Sequence, residues 1–200
     1  MGDLNNKISI LIDRELKRLG DEEFAKGRNR LIGERIISYG VKTSEIRKIA
    51  KKYFKEFQER ETKKDWIEIV KELMSTKVFE DQMAGIFLLG FFLKAGRKIS
   101  ISEIKKLIAK YIDNWATCDT MSTEVVAKIF KNSPKEIETL YSWAKSRNVW
   151  LKRVTLVTTA KLKNEIKNWQ KIASQILSFL SKEKEPSLKK AVYWLAKEVL

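Results

Sequence analysis

Residues 185–200 read EPSLKKAVYWLAKEVL, and the fold is decided by how this stretch is read. Pro186 or Ser187 opens a helix well, because a first helical turn needs no amide hydrogen from proline and its fixed φ suits that position. From there Leu188, Val192, Leu195 and Val199 recur with a 3.6-residue period, the mark of one buried helical face. The other proline repeats the pattern. In NSPKEIETLYSWAKS, residues 132–146, Ser133 precedes Pro134 and Glu136 follows three residues after the serine. That is a capping box with proline at the first helical position.

Working outward, SEIRKIAKKYFKEF from Ser44, TKKDWIEIVKELM from Thr62 and SEIKKLIAKYI from Ser102 read as further amphipathic helices. The β-branched runs are short and interrupted by lysine, although VTLVTT at 154–159 leaves a strand reading open. The helices fall into pairs: 62–75 with 79–94, 102–113 with 119–131, 135–146 with 148–163, and 165–180 with 187–200, at a repeat of about 31 to 41 residues. A pair of short helices cannot cover its own apolar face, whereas pairs stacked in one direction share a core. The expected fold is therefore all-α, a HEAT-like α-solenoid with a concave basic face, forming one domain over residues 1–200. A compact helical bundle is the alternative.

Composition narrows the function. The 200 residues carry 41 Lys and Arg against 26 Asp and Glu, a net charge of +15. A charge of that size favours polyanion partners such as nucleic acid, although a lysine-rich solvated surface is the plainer reading. There is no histidine, which removes His-based acid–base chemistry, catalytic triads and His-type zinc sites. No metal-ligand signature remains, so neither a metal nor another cofactor is expected. The N-terminus lacks the pattern of a signal peptide, no uninterrupted apolar span is long enough for a membrane, and the single Cys118 suits a reducing interior. The expectation is a cytoplasmic monomer.

One segment stands out. In DNWATCDTMSTEV, residues 113–125, Trp115 and Asp119 lie four positions apart, so a helix would place both on one side. Arg153 follows Trp115 by 38 residues and Trp194 follows Arg153 by 41. Each step is close to one repeat, so all three fall on equivalent positions of successive pairs. The bland reading makes each tryptophan a core residue and Asp119 the cap of a helix that starts near it.

The blocks NWATCD at 114–119, NVWLKR at 148–153, KKAVYW at 189–194 and, more loosely, YGVKTSEIRKIAKKY at 39–53 resemble the DNA alkylation repair proteins of the AlkD kind, HEAT-like DNA glycosylases. The resemblance covers most of residues 30–200. It implies a monofunctional enzyme of base excision repair that binds double-stranded DNA and hydrolyses the N-glycosidic bond of N3- or N7-alkylated purines without drawing the base into a pocket. By the same resemblance Asp119 is the catalytic carboxylate, Trp115 and Trp194 are the aromatic walls beside it, and Arg153 contacts phosphate. Lys152 stands beside that arginine, and Arg47, Lys48, Lys51 and Lys52 form a basic helix able to grip a flanking strand. The sequence departs from the family at Ile32, where an N-terminal aromatic is expected, with Tyr39 nearby. It departs again at Asn114, in place of a bulky aromatic. Cys118 reads as core filling. The competing functions are a non-catalytic module for damaged or structured DNA, and a protein scaffold.

Overall fold

A computed structural model describes residues 2–33 and 36–199, so Leu200, at the expected end of the last helix, lies outside the described residues. Twelve α-helices are found among the described residues: α1 (Gly2–Arg18), α2 (Glu22–Ile32), α3 (Thr43–Phe57), α4 (Lys63–Ser75), α5 (Phe79–Lys94), α6 (Ile101–Tyr111), α7 (Trp115–Met121), α8 (Ala127–Asn132), α9 (Glu138–Ala144), α10 (Val149–Lys161), α11 (Trp169–Leu180) and α12 (Pro186–Val199). β structure among these residues is confined to an isolated parallel bridge between Ile37 and Val78. None of the described helices is long and apolar enough to cross a membrane. The chain divides into two compact units, residues 1–98 and 99–200.

In the first unit α5 is the central helix. Its sequence FEDQMAGIFLLGFFLK is apolar on every side, and every residue from Phe79 to Gly90 is buried, as expected of a helix enclosed by others. It packs against α1, α3 and α4. At its start Glu80 receives the Tyr39 and Gly40 amides at 2.9 Å each, the Val41 amide at 3.1 Å and the Ser38 hydroxyl at 2.8 Å, and pairs with Arg28. Gly40 is required in this turn. Its φ is +85°, and an added Cβ would stand 1.8 Å from the Asp21 carbonyl oxygen.

In the second unit α10 holds the equivalent place, packing against α6, α7, α9, α11 and α12. The VTLVTT run is helical, not extended. Thr155 and Thr159 satisfy their hydroxyls by bonding back to the carbonyls of Leu151 and Thr155 at 2.9 and 2.7 Å, which lets β-branched polar residues sit fully buried inside a helix. Helices stack in sequence order within each unit, as in helical-repeat proteins: α3 lies beside α5 in the first, and α7, α10 and α12 form a row in the second.

Four helix starts differ from the sequence expectation. Ser133 makes no side-chain cap bond and Pro134–Ile137 is a 3-10 turn; with φ −137° and ψ 69°, Ser133 is not in the extended conformation of an N-cap. Helix α6 is capped by Ser100, not Ser102, in a full capping box with Glu103. Helix α11 begins at Trp169 instead of residue 165, because Asn164 and Asn168 adopt left-handed φ of 68° and 57°. The helix expected from residue 119 begins at Trp115, where the Asn114 side chain accepts from the Thr117 amide at 3.0 Å.

Candidate active site

The start of α7 at Trp115 sets the geometry of the site. Asp119 lies inside α7 and caps nothing, so Trp115 and Asp119 share one face a single turn apart. Trp115 is half-buried, and the Asp119 side chain is 20% exposed. Three residues after Asp119 the helix widens into a π-helical stretch, Ser122–Val126. Its cause is local. Thr120, Ser122 and Thr123 each turn a hydroxyl back to a carbonyl four residues earlier, on Ala116, Cys118 and Asp119, at 2.9, 2.8 and 3.0 Å. Such back-bonds compete with the helical ladder, and π-turns of this kind gather at functional sites.

Arg153 reaches Asp119 from α10. Its Nε donates to Oδ1 and its Nη2 to Oδ2, each at 2.7 Å, and its Nη1 donates to the Ser187 carbonyl at the start of α12. The guanidinium therefore joins α7, α10 and α12, and Arg153 is only 3% exposed. Its position on α10 is set by Asn148, whose side chain accepts the Trp150 and Leu151 amides at 2.9 and 3.0 Å. A fork-to-fork pair of this type holds a carboxylate in one orientation. It occupies two of about four lone-pair sites on Asp119. The others remain for a water or a developing cation.

Trp194 lies on α12, two turns beyond Ser187, and is 41% exposed with the Lys190 ammonium 5.2 Å from its ring centroid. Lys152 points to Glu183 in an ion pair. Cys118 is buried, and burial followed by the Asp119 charge pushes its thiol well above the ordinary value. That makes it a poor nucleophile.

The N-terminal basic residues belong to the other unit. The Arg47 guanidinium lies 4.1 Å from the Phe87 ring centroid, Lys48 pairs with Glu45 at 2.8 Å, and Lys52 pairs with Glu15 at 2.7 Å. Lys51 is exposed. Ile32 is the half-buried last residue of α2, and the Tyr39 hydroxyl donates to Asp13 at 2.6 Å. Sequence reasoning did not find the Asp119–Arg153 pair. Two ionisable residues of opposite sign at matching repeat positions were the available signal.

The profile of the DNA alkylation repair enzyme family matches residues 12–199. No curated protein matches the chain. With nearly the whole sequence inside that profile, and with an all-helical repeat architecture beneath it, the chain belongs to the DNA alkylation repair enzyme family.

Proposed function

We propose that this protein is a HEAT-like glycosylase that hydrolyses the N-glycosidic bond of N3- or N7-alkylated purines in duplex DNA. Alkylation at N3 or N7 makes the purine cationic and a good leaving group, so no strong general acid is needed. As the bond stretches, positive charge grows at C1′ and the ring oxygen, and fixed negative charge there favours the transition state over the neutral sugar. Asp119 supplies that charge and orients the water that attacks C1′. The faces of Trp115 and Trp194 add cation–π attraction worth roughly 1 to 2 kcal/mol per desolvated contact. The observation that carries this reading is the bidentate hold of Arg153 on Asp119. It fixes the carboxylate in one orientation before substrate arrives, which suits electrostatic stabilisation of a developing cation.

The same pair redistributes the DNA-binding roles. Exposed ion pairs are worth about 0 to 1 kcal/mol, so Lys48 and Lys52 can exchange Glu45 and Glu15 for phosphate at little cost. Separating a largely buried arginine from its carboxylate costs far more, about 3 to 5 kcal/mol. Arg153 is therefore a positioning residue for Asp119. Phosphate contact falls to Arg47, Lys48, Lys51 and Lys52, and to Lys152 when it leaves Glu183.

The test is single-turnover release of 7-methylguanine from duplex DNA, with the free base detected by mass, for wild type and Asp119→Asn. Release by wild type that falls about 100-fold in the variant supports the reading. No release by wild type leaves a DNA-binding module in which the Asp119–Arg153 pair is only a clamp.

A further inference from the structure

The first unit contains a groove that the proposed chemistry does not use. It runs between the C-terminal halves of α3 and α5, encloses about 340 Å³, and is lined by Lys51, Phe54, Lys55, Gln58, Phe91 and Lys94. Its floor is aromatic. The Phe54 and Phe91 centroids are 6.1 Å apart, and Trp66 backs Phe54 at 5.1 Å. Phe54 is buried and Phe91 half-buried, so Phe91 is the ring that a ligand would meet.

The rim is cationic and unneutralised. Lys48 and Lys52, on the same helix, have Glu45 and Glu15 as partners. Lys51, Lys55 and Lys94 are exposed and have no acidic partner among the described residues. Lys51 and Lys55 stand at i and i+4, a spacing at which like charges repel along a helix. An anion in the groove relieves that repulsion.

The combination selects a class of ligand. An aromatic floor rimmed by three ammonium groups matches an aromatic ring carrying phosphate, the arrangement by which single-stranded nucleic acid is held. The Gln58 amide adds a donor and an acceptor for a base edge. Paired bases in a duplex keep their faces stacked on one another and would leave Phe91 unused. An acidic peptide would satisfy the lysines without needing the ring. The volume fits a small-ligand site, which starts at about 300 Å³.

We propose that the α3–α5 groove binds a single unpaired nucleotide of a DNA strand, its base on Phe91 and its flanking phosphates on Lys51, Lys55 and Lys94. This rests on the DNA-binding part of the proposed function and is independent of the glycosylase chemistry.

The test compares two duplexes that differ in one nucleotide: 2-aminopurine either bulged and unpaired, or paired with thymine. Binding is followed by anisotropy and by 2-aminopurine emission over a range of salt. Wild type is expected to bind the bulged duplex about tenfold more tightly. Phe91→Leu is expected to abolish that preference, and the Lys55→Ala/Lys94→Ala double variant to weaken bulge binding with a salt slope lower by about one to two units. Circular dichroism accompanies each variant; if Phe91→Leu does not fold, the surface lysine variant decides. Equal binding of the two duplexes by wild type overturns the proposal. So does a bulge preference that survives in the folded variants, or displacement of the bulged duplex by polyglutamate as readily as by unlabelled bulged DNA. Release of 7-methylguanine, measured on the same wild-type preparation, reports separately on the glycosylase reading.

Discussion

The guanidinium of Arg153 holds both carboxylate oxygens of Asp119 at 2.7 Å across 34 residues of sequence, while its remaining terminal nitrogen binds the Ser187 carbonyl. Three helices of the second unit thus meet at one side chain. If Arg153 acts through Asp119, Arg153→Ala should lower single-turnover excision by about 100-fold, as expected for a misplaced catalytic group. The salt slope of duplex binding should stay unchanged. Loss of a phosphate contact would instead reduce that slope by about one unit, and a binding titration at several salt concentrations distinguishes the two. Arg153→Lys can form only part of the fork, so it should recover stability better than rate.

For Asp119→Asn the excision rate should fall about 100-fold with duplex affinity largely kept. The structure adds a stability cost. Asparagine turns an NH₂ toward a buried guanidinium, and losing a charge-assisted hydrogen bond costs about 1.5 to 3 kcal/mol. A lower melting temperature therefore does not by itself mark Asp119 as structural. The deciding measurement is excision per folded molecule, at a temperature where circular dichroism shows the variant intact. Wild-type rates there would remove Asp119 from the chemistry.

Much of this arrangement was legible in advance because helices announce themselves locally. Thr62 with Asp65 forms the capping box that starts α4, Pro186 opens α12, and the spacing of Trp115 and Asp119 required only that the segment be helical. The pairing of Arg153 with Asp119 was not legible, since it depends on how α7 and α10 pack and not on either segment alone. The start of α7 is hard to place for a related reason. Asp119 looks like a helix cap by residue type, but Asn114 takes that role, and a sequence offers no way to rank two competing caps. The α3–α5 groove was hidden too: Lys51 was visible as a basic residue, but its neighbours across the groove, Phe91 and Lys94, come from a helix about 40 residues away.

Trp194 separates stability from function more cleanly. At 41% exposure it buries only part of its ring, so Trp194→Ala should cost no more than about 1 to 2 kcal/mol, below the range of about 3 to 5 kcal/mol for a fully buried tryptophan. Trp143, fully buried in α9, provides that comparison. Excision should nevertheless slow by about tenfold, the loss of one desolvated aromatic contact with a cationic sugar. Urea unfolding and single-turnover release on the same preparation test both halves. A rate equal to wild type would remove Trp194 from the site.

Asp81 predicts how stability depends on pH. It sits fully buried in the first turn of α5, with both carboxylate oxygens shut off from solvent. Burial pushes its pKa up to about 7, with the Thr76 hydroxyl opposing the rise and the Asp13 and Glu80 charges adding to it. In the unfolded chain the value is about 3.9. Between those limits the folded protein keeps a proton that the unfolded chain has released. The contribution to stability is thus complete below pH ~4, shrinks by about 1.4 kcal/mol per pH unit as pH rises to ~7, and stays lost above. Asp81→Asn carries no titrating proton. Its stability relative to wild type should therefore rise steadily from pH 5 to pH 7 and then level off, whatever the other titrating groups contribute to both proteins. Urea unfolding of the two at pH 5, 6, 7 and 8 gives the difference directly. A difference that does not change with pH would mean that Asp81 is ionised throughout, with its charge compensated inside the fold.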